Sequence, residues 1–425
     1  TGGITLTNAP GAAAVNITGS SGADIISALA AGNHTLSMGA GNDSVDFNGT
    51  YTYLDTYDGG DGTDTLKVDG SINNAGLNAT IFDNLTNVEV LEVTGNAAVV
   101  SLDANAPFTT VNVSDADGQT VNLNDGYTNP TTVVINADQG DAINNNANVD
   151  LTVNAYSGAI GASFNLTGSS GNADTINITA VTNNQSNTFD AGNDVFETIN
   201  VVPYTAGADV TVVTGAYALS AALGSTQLTI NAGSGDALSV MTITGTSSVT
   251  PLDITTGPAA DIIALGTKAD TVNSGAGNDE ITTLGGVNTI NSGDGVDTIV
   301  LGLAVDNVNA GAGNDIITAS NRLANTDVID GGDGVDTITI GTDLGAADVI
   351  SVTGGLSNLE VMGPLGNNVD IVAAGDMGGI TTFSFTQANT QTLTLGGTGL
   401  TWTPDTTVTF LAGQSGANKT VTNTA

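Results

Sequence analysis

The feature that most limits what this chain can fold into is a nine-residue register. From Asp261 an acidic or amide side chain returns at Asp270, Asp279, Asn288, Asp297, Asp306 and Asp315, and after three extra residues at Asp327 and Asp336. Two residues beyond each stands an apolar side chain: Ile263, Val272, Ile281, Ile290, Ile299, Val308, Ile317, Ile329 and Ile338. Helical periodicity is absent, while short alternating runs such as Thr110-Val111-Asn112-Val113 and Leu151-Thr152-Val153-Asn154 recur between Gly, Asp and Asn clusters. The chain reads as all-β, and the fixed period reads as a solenoid. Each triplet centred on the apolar residue is a short strand with one side chain inward. Two such units make one coil of about 18 residues, and coils stack at about 4.8 Å.

The same phase appears near the start, where Asp24, His34, Asp43, Asp55 and Asp64 are followed at the same offset by Ile26, Leu36, Val45, Tyr57 and Leu66. Residues 39–68 align without a gap on 311–340, so the two arrays are related copies. The likeness continues downstream, where Leu85-Thr86-Asn87-Val88-Glu89-Val90-Leu91 resembles Leu356-Ser357-Asn358-Leu359-Glu360-Val361-Met362. The expected layout is a first array with following strands over 1–95, then a Thr/Val/Asn-rich β region over 96–255. The main array over 256–362 and a C-terminal β region over 363–425 follow. A weaker cassette at 168–196 offers Asp174 and Asp194. No Pro/Ser linker separates these segments, so one continuous solenoid or two to three tightly joined β segments is expected.

Composition says what the turns must do. Asp outnumbers Glu by 38 to 5, only 4 residues are Lys or Arg, and the net charge is -39. Yet 40% of residues are apolar, which is enough for a core and unlike a disordered acidic chain. Stacked Asp side chains about 5 Å apart repel by about 0.8 kcal/mol in water and about 3 kcal/mol at an effective dielectric of 20. A bound cation relieves that repulsion. Ca²⁺ prefers six to eight oxygens, a mixture of carboxylates and backbone carbonyls, and a Gly-x-Gly-x-Asp turn supplies both. Lys67, Lys268, Arg322 and Lys419 cannot form a phosphate-binding surface, which excludes nucleic acid as a partner. No Cys is present, so disulfides, thiolate metal sites and a Cys nucleophile are excluded. No apolar run approaches the roughly 20 residues of a membrane-spanning helix. The first residue is Thr1, so a secretion signal or anchor is expected outside the sequence.

Well-formed and degenerate turns alternate. Gly275-Ala276-Gly277-Asn278-Asp279, Gly293-Asp294-Gly295-Val296-Asp297, Gly311-Ala312-Gly313-Asn314-Asp315 and Gly332-Asp333-Gly334-Val335-Asp336 lie one coil apart. Between them Gly266-Thr267-Lys268-Ala269-Asp270, Leu284-Gly285-Gly286-Val287-Asn288, Gly302-Leu303-Ala304-Val305-Asp306 and Ala324-Asn325-Thr326-Asp327 are poor matches. In the first array Gly22-Ala23-Asp24, Gly39-Ala40-Gly41-Asn42-Asp43 and Gly59-Gly60-Asp61-Gly62-Thr63-Asp64 are good, and the turns of His34 and Asp55 are degenerate. One edge is expected to bind calcium while the opposite edge mostly does not.

These arrays resemble the RTX (repeats-in-toxin) calcium-binding β-roll, over about a third of the chain. The resemblance implies a right-handed parallel β-roll in which several Ca²⁺ ions sit between equivalent turns of neighbouring coils. It implies bridging by the pairs Asp24/Asp43, Asp43/Asp64, Asp261/Asp279, Asp279/Asp297, Asp297/Asp315 and Asp315/Asp336. The turn before Asp261, Pro258-Ala259-Ala260, lacks the second glycine, and Asn172-Ala173 adds a residue before Asp174. Proteases, lipases, toxins, adhesins and surface-layer proteins all carry such repeats, so the surroundings decide the role. There is no His-Glu-x-x-His, no Gly-x-Ser-x-Gly and a single His, so no catalytic half is expected here. The Thr/Ala/Gly/Val/Asn composition with dispersed cassettes resembles the lattice-forming part of calcium-dependent RTX surface-layer proteins of Gram-negative bacteria. That reading implies a secreted, non-enzymatic protein at the cell surface, self-association into a lattice, and an anchoring region outside the sequence that engages outer-membrane lipopolysaccharide. The alternatives are a stalk of a type I-secreted adhesin or biofilm-matrix protein, and the RTX tail of a secreted enzyme.

Other polar residues have plainer readings. Asp141 and Asp236 read as ordinary turn aspartates, and His34 as a turn residue. Trp402, Tyr51, Tyr53 and Tyr57 read as packing or surface contacts, and Glu89, Glu92 and Glu360 as strand residues with no reason to form a catalytic pair.

Overall fold

In a computed structural model of the chain every helical position is vacant among the described residues: all regular structure is strand, and every strand pairing is parallel. The structure describes residues 2–7, 14–70, 81–95, 98–102, 104–113, 118–124, 127, 132–137, 141–145, 150–155, 163–167, 174–180, 187–190, 196–203 and 210–213. It continues with 228–233, 238–248, 250–319, 327–340, 343–352, 356–359, 361–365, 367–373, 382–385, 391–395, 407–410 and 419–423. These strands fall into two compact units, one up to Val213 and the other from Leu228.

In the first unit one ladder runs through Thr5–Leu6, Ile25–Ile26, Ser44–Asp46, Thr65–Val68, Val90–Val93, Thr110–Asn112 and Thr132–Ala137, and on through Asp150–Ala155, Asp174–Ala180 and Phe196–Pro203. The strands between them pair with one another. Asn16–Thr18, Thr35–Ser37, Thr56–Asp58 and Leu85–Thr86 form a four-stranded ladder. Val99–Leu102, Thr120–Leu123, Ala142–Asn145, Ser163–Thr167, Asn187–Asp190 and Val210–Val213 form the next. A chain that alternates between two parallel ladders is a β-solenoid, consistent with the right-handed roll expected.

The second unit repeats this plan. Leu228–Asn231, Leu252–Thr255, Thr271–Asn273, Thr289–Asp294, Asn307–Ala312, Val328–Asp330 and Leu356–Ser357 make one ladder. Met241–Gly245, Ile262–Leu265, Glu280–Thr282, Thr298–Leu301, Ile316–Ala319, Thr337–Ile340 and Val361–Leu365 make the other, extended by Thr382–Phe385 and Thr407–Phe410. Asp343–Val352, Asn367–Ala373, Gln391–Leu395 and Lys419–Asn423 form a third ladder, which the sequence does not set apart from the preceding repeats.

Register follows the nonapeptide. Ile281 pairs with Ile299 and Ile299 with Ile317, one 18-residue coil apart, and Ile317 pairs with Ile338 across the longer coil that holds the three extra residues. The apolar residues of the register face inward: Ile263, Val272, Ile281, Ile299, Ile317, Ile329 and Ile338 are each 0% exposed, as are Val45, Tyr57 and Leu66. Burying an Ile or Val side chain contributes about 1.5–3 kcal/mol. Strands are short because turn residues bound both sides, so each coil depends on stacking against the next for its core.

Candidate metal centre

The Asp of each repeat is buried at the end of its turn and linked to the neighbouring coil. Asp261, Asp279, Asp297 and Asp315 each donate their main-chain N–H to Oδ1 of the next Asp in the series, at 2.8 Å each. In the first unit Asp24 N–H reaches Asp43 Oδ1 and Asp43 N–H reaches Asp64 Oδ1, both at 2.7 Å. All six expected pairs are thus neighbours across coils, and these Asp residues are at most 2% exposed. Asp261 joins despite its irregular turn and accepts from Met241 N–H at 2.7 Å.

One oxygen of each carboxylate is spent on this link; the other is not. Oδ2 of Asp43, Asp64, Asp261, Asp279, Asp297 and Asp315 is buried without a hydrogen-bond partner. The hydroxyls of Thr256, Ser274 and Ser292 lie beside Asp261, Asp279 and Asp297, yet they donate to the carbonyls of Ser274, Ser292 and Ala310 at 2.9, 2.9 and 2.8 Å. Burial pushes the carboxyls of Asp64, Asp261, Asp279 and Asp315 up to about 6, and those of Asp43 and Asp297 upward as well. A buried carboxylate oxygen without a donor costs several kcal/mol. Asp24 differs: burial raises it, but donors from Ile4 and from the Ser20 N–H and hydroxyl outweigh burial and hold its carboxyl below the ordinary value.

The turns in front of the ladder are built for close backbone approach. Gly39, Gly41, Gly60, Gly62, Gly275, Gly277, Gly293, Gly295, Gly311, Gly313, Gly332 and Gly334 all have positive φ. At Gly295, with φ 146°, a Cβ would lie 1.5 Å from the Gly277 carbonyl oxygen, so no side chain can stand there. Neighbouring turns are bridged through their main chains: Gly277 N–H to Asp294 O and Gly313 N–H to Asp333 O, each at 2.7 Å, and Asp61 N–H to Gly39 O at 2.8 Å. The side chains of Asp61, Asp294 and Asp333 are exposed, so these three residues stand apart from the buried ladder. Gly59 precedes the positive-φ pair and carries no strain of its own. Asp174 is the first residue of the strand Asp174–Ala180, at a register shift, and Asp194 lies outside the described residues.

This donor set fits a hard divalent cation, which takes carboxylate and carbonyl oxygens at about 2.3 to 2.6 Å. Among the described residues no three Asp, Glu or His side chains gather at one point, so main-chain carbonyls must supply part of any coordination shell. Residues that the sequence set aside prove to share the ladder's architecture. Asp141, read as a plain turn residue, is 1% exposed and accepts Gln119 N–H through Oδ1 at 2.8 Å. His34 accepts Val15 N–H through Nδ1 at 3.3 Å, leaving Nε2 to donate to Ala30 O at 2.7 Å. Glu89 accepts Asp64 N–H at 2.9 Å, and Glu92 pairs with Lys67. Tyr51 and Tyr57 are buried packing residues and Tyr53 is exposed, whereas Asp236, Glu360 and Trp402 lie outside the described residues.

No protein-family model matches the sequence, and no curated protein matches it either.

Proposed function

We propose that this chain is a calcium-binding structural protein of the bacterial cell surface, assembling into a Ca²⁺-dependent surface layer. The observation that carries the calcium half is the row of buried Oδ2 atoms without partners behind glycine turns of positive φ. Asp43, Asp64, Asp279, Asp297, Asp315 and Asp336, with carbonyls of their glycine turns, and Asp261 at the start of the second ladder would hold the ions. Bound Ca²⁺ supplies the positive charge that compensates stacked carboxylates. Folding and metal binding are then coupled. The surface-layer half rests on the sequence resemblance.

A calcium titration followed by circular dichroism and light scattering tests both halves. The expected course is a rise in β signal and thermal midpoint first, then ordered sheets or defined oligomers at or above the same calcium concentration. Equal β signal and midpoint in chelator and in calcium would remove the calcium reading. A folded, monodisperse monomer at millimolar Ca²⁺ would remove the lattice reading and favour an adhesin stalk. Mg²⁺ is expected to substitute poorly, because it demands a smaller octahedral shell and holds its water.

A further inference from the structure

The carboxylate ladder of the first unit does not end on an Asp. Asp64 N–H donates to Glu89 Oε2 at 2.9 Å, the link that Asp24 and Asp43 make to the next Asp. The turn leading to Glu89 is also different. Thr56–Asp58 pairs with Leu85–Thr86 and Thr65–Val68 with Val90–Val93, so the six residues Gly59–Asp64 face only three, Asn87–Glu89. Asn87 makes the short turn possible by adopting φ 52°, a left-handed conformation that Asn tolerates, and Val88 anchors it at 1% exposure. Its side-chain Nδ2 donates to Asp58 Oδ1 at 2.9 Å. With the turn shortened, the extra methylene of Glu restores the reach that an Asp would lack.

Oxygen atoms converge at this end of the array. A Cβ placed on Gly59 would lie 2.1 Å from the Asn87 carbonyl oxygen and 2.5 Å from Asp64 Oδ2. Asp64 is 0% exposed and its Oδ2 has no partner. We propose that Asp64, Glu89 and the Asn87 carbonyl form a terminal divalent-cation site that closes the array, on the far side of Asp64 from Asp43. This rests on the calcium reading above and extends it to a turn with no glycine repeat.

The second unit carries the same short turn. Asn358 has φ 51°, donates through Nδ2 to Asp330 Oδ1 at 2.7 Å, and is followed by Leu359 at 0% exposure. A Cβ on Gly331 would lie 2.0 Å from the Asn358 carbonyl oxygen and 2.8 Å from Asp336 Oδ2. The Leu-x-Asn turn thus recurs after both arrays with the same backbone, while Glu360, the counterpart of Glu89 in sequence, lies outside the described residues.

The test is the number of Ca²⁺ ions bound by the full chain, read by equilibrium dialysis and calorimetry, in the parent and in Glu89→Gln. Gln keeps an oxygen for Asp64 N–H and removes the charge, so the chelated protein should keep the parent's circular dichroism and midpoint. The expected result is one ion fewer, or one ion bound at least about ten-fold more weakly. Equal stoichiometry and affinity in both proteins overturns the terminal site, whereas no calcium bound by the parent overturns the calcium reading itself. Should Glu89→Gln not fold, Glu89→Asp gives the answer, since it keeps the charge and shortens the arm. A ten-fold weaker last ion supports the site, and unaltered affinity overturns it.

Discussion

The two turn edges of the second unit carry the same ladder in front of different turns. On one edge Asp279, Asp297, Asp315 and Asp336 follow glycine turns and Asp261 an irregular one; on the other Asp270, Asn288, Asp306 and Asp327 follow degenerate ones. Yet the link is common to both: Asp270 N–H reaches Asn288 Oδ1 at 3.0 Å, Asn288 N–H reaches Asp306 Oδ1 at 3.1 Å, and Asp306 N–H reaches Asp327 Oδ1 at 2.9 Å. A neutral amide does the work at Asn288, and its Nδ2 also satisfies Gly285 O, Gly286 O and Asp306 Oδ1 at 3.1, 3.2 and 3.0 Å. The repeat Asp is therefore first a cap for the main-chain N–H of the coil beside it, which would otherwise be buried without a partner. What sets one edge apart is the glycine turn and not the carboxylate.

The sharpest way to break this comparison is to neutralise one Asp on each edge without removing its cap. Asp297→Asn and Asp306→Asn both keep Oδ1 as an acceptor. In chelator neither is expected to lower the thermal midpoint, because each removes a buried charge. In saturating calcium Asp297→Asn should lose stabilisation, about 2.7 kcal/mol for each ion previously held at 100 times its Kd. Asp306→Asn should behave as the parent does. Equal loss from the two variants in a calcium-dependent melting series would mean that both edges take ions.

Protonation separates the edges next. Burial raises Asp261, Asp279 and Asp315 on the glycine edge and Asp270 and Asp306 on the other to about 6, against an ordinary value of 3.8. A carboxyl whose folded pKa is raised binds its proton more tightly when folded. Its contribution is complete below about 3.8 and is lost as pH rises through about 6, at most about 3 kcal/mol per group. In chelator the chain should thus be more stable at pH 4.5 than at pH 8. Calcium requires the ionised form, so its binding at pH 6 should expel protons from the glycine edge, and at pH 8 should expel none. Calorimetry in buffers of different ionisation enthalpy measures that release. A chelated protein whose midpoint rises from pH 4.5 to 8 contradicts the assignment of these carboxyls as buried and uncompensated.

How far the sequence could be read depends on which partner a residue has. The inward Ile and Val of the nonapeptide were legible because burial selects apolar side chains at a fixed spacing, and Ile263 through Ile338 all lie in the core. The cap was not legible, since its donor is a main-chain N–H that can donate to any acceptor of suitable reach: Asp297, Asn288, His34, Asp141 and Glu89 all serve. The signal for Glu89 lay in the recurrence of Leu-x-Asn-x-Glu after each array, but the shortened turn that makes its length useful appears only in the pairing register. Over the Thr-rich region no fixed period could be found because coil length varies. Val90 pairs with Thr110, Thr110 with Val134 and Val134 with Thr152, so strand pairing holds register where turn length does not.

The smallest effect expected from the comparison lies in the degenerate turns themselves. Leu303 is 64% exposed in the turn Gly302–Val305, and Leu284 and Val287 stand in the equivalent turn one coil earlier at 52% and 60%. None of these side chains fills the core, and Asp306 is positioned by its main chain and by Asn288 without help from Leu303. Leu303→Ser should accordingly change stability by no more than about 0.5 kcal/mol, in chelator or in calcium. Calcium affinity should stay at the parent value, because the turns proposed to hold the ions begin at Gly293 and Gly311 and would draw on carbonyls of their own edge. A chemical denaturation series at fixed calcium, paired with a calcium titration, reads both quantities. If Leu303→Ser weakened calcium binding several-fold while leaving the chelated protein unaltered, the degenerate turns would be coupled to the glycine turns across the coil, and the two edges could no longer be treated as independent.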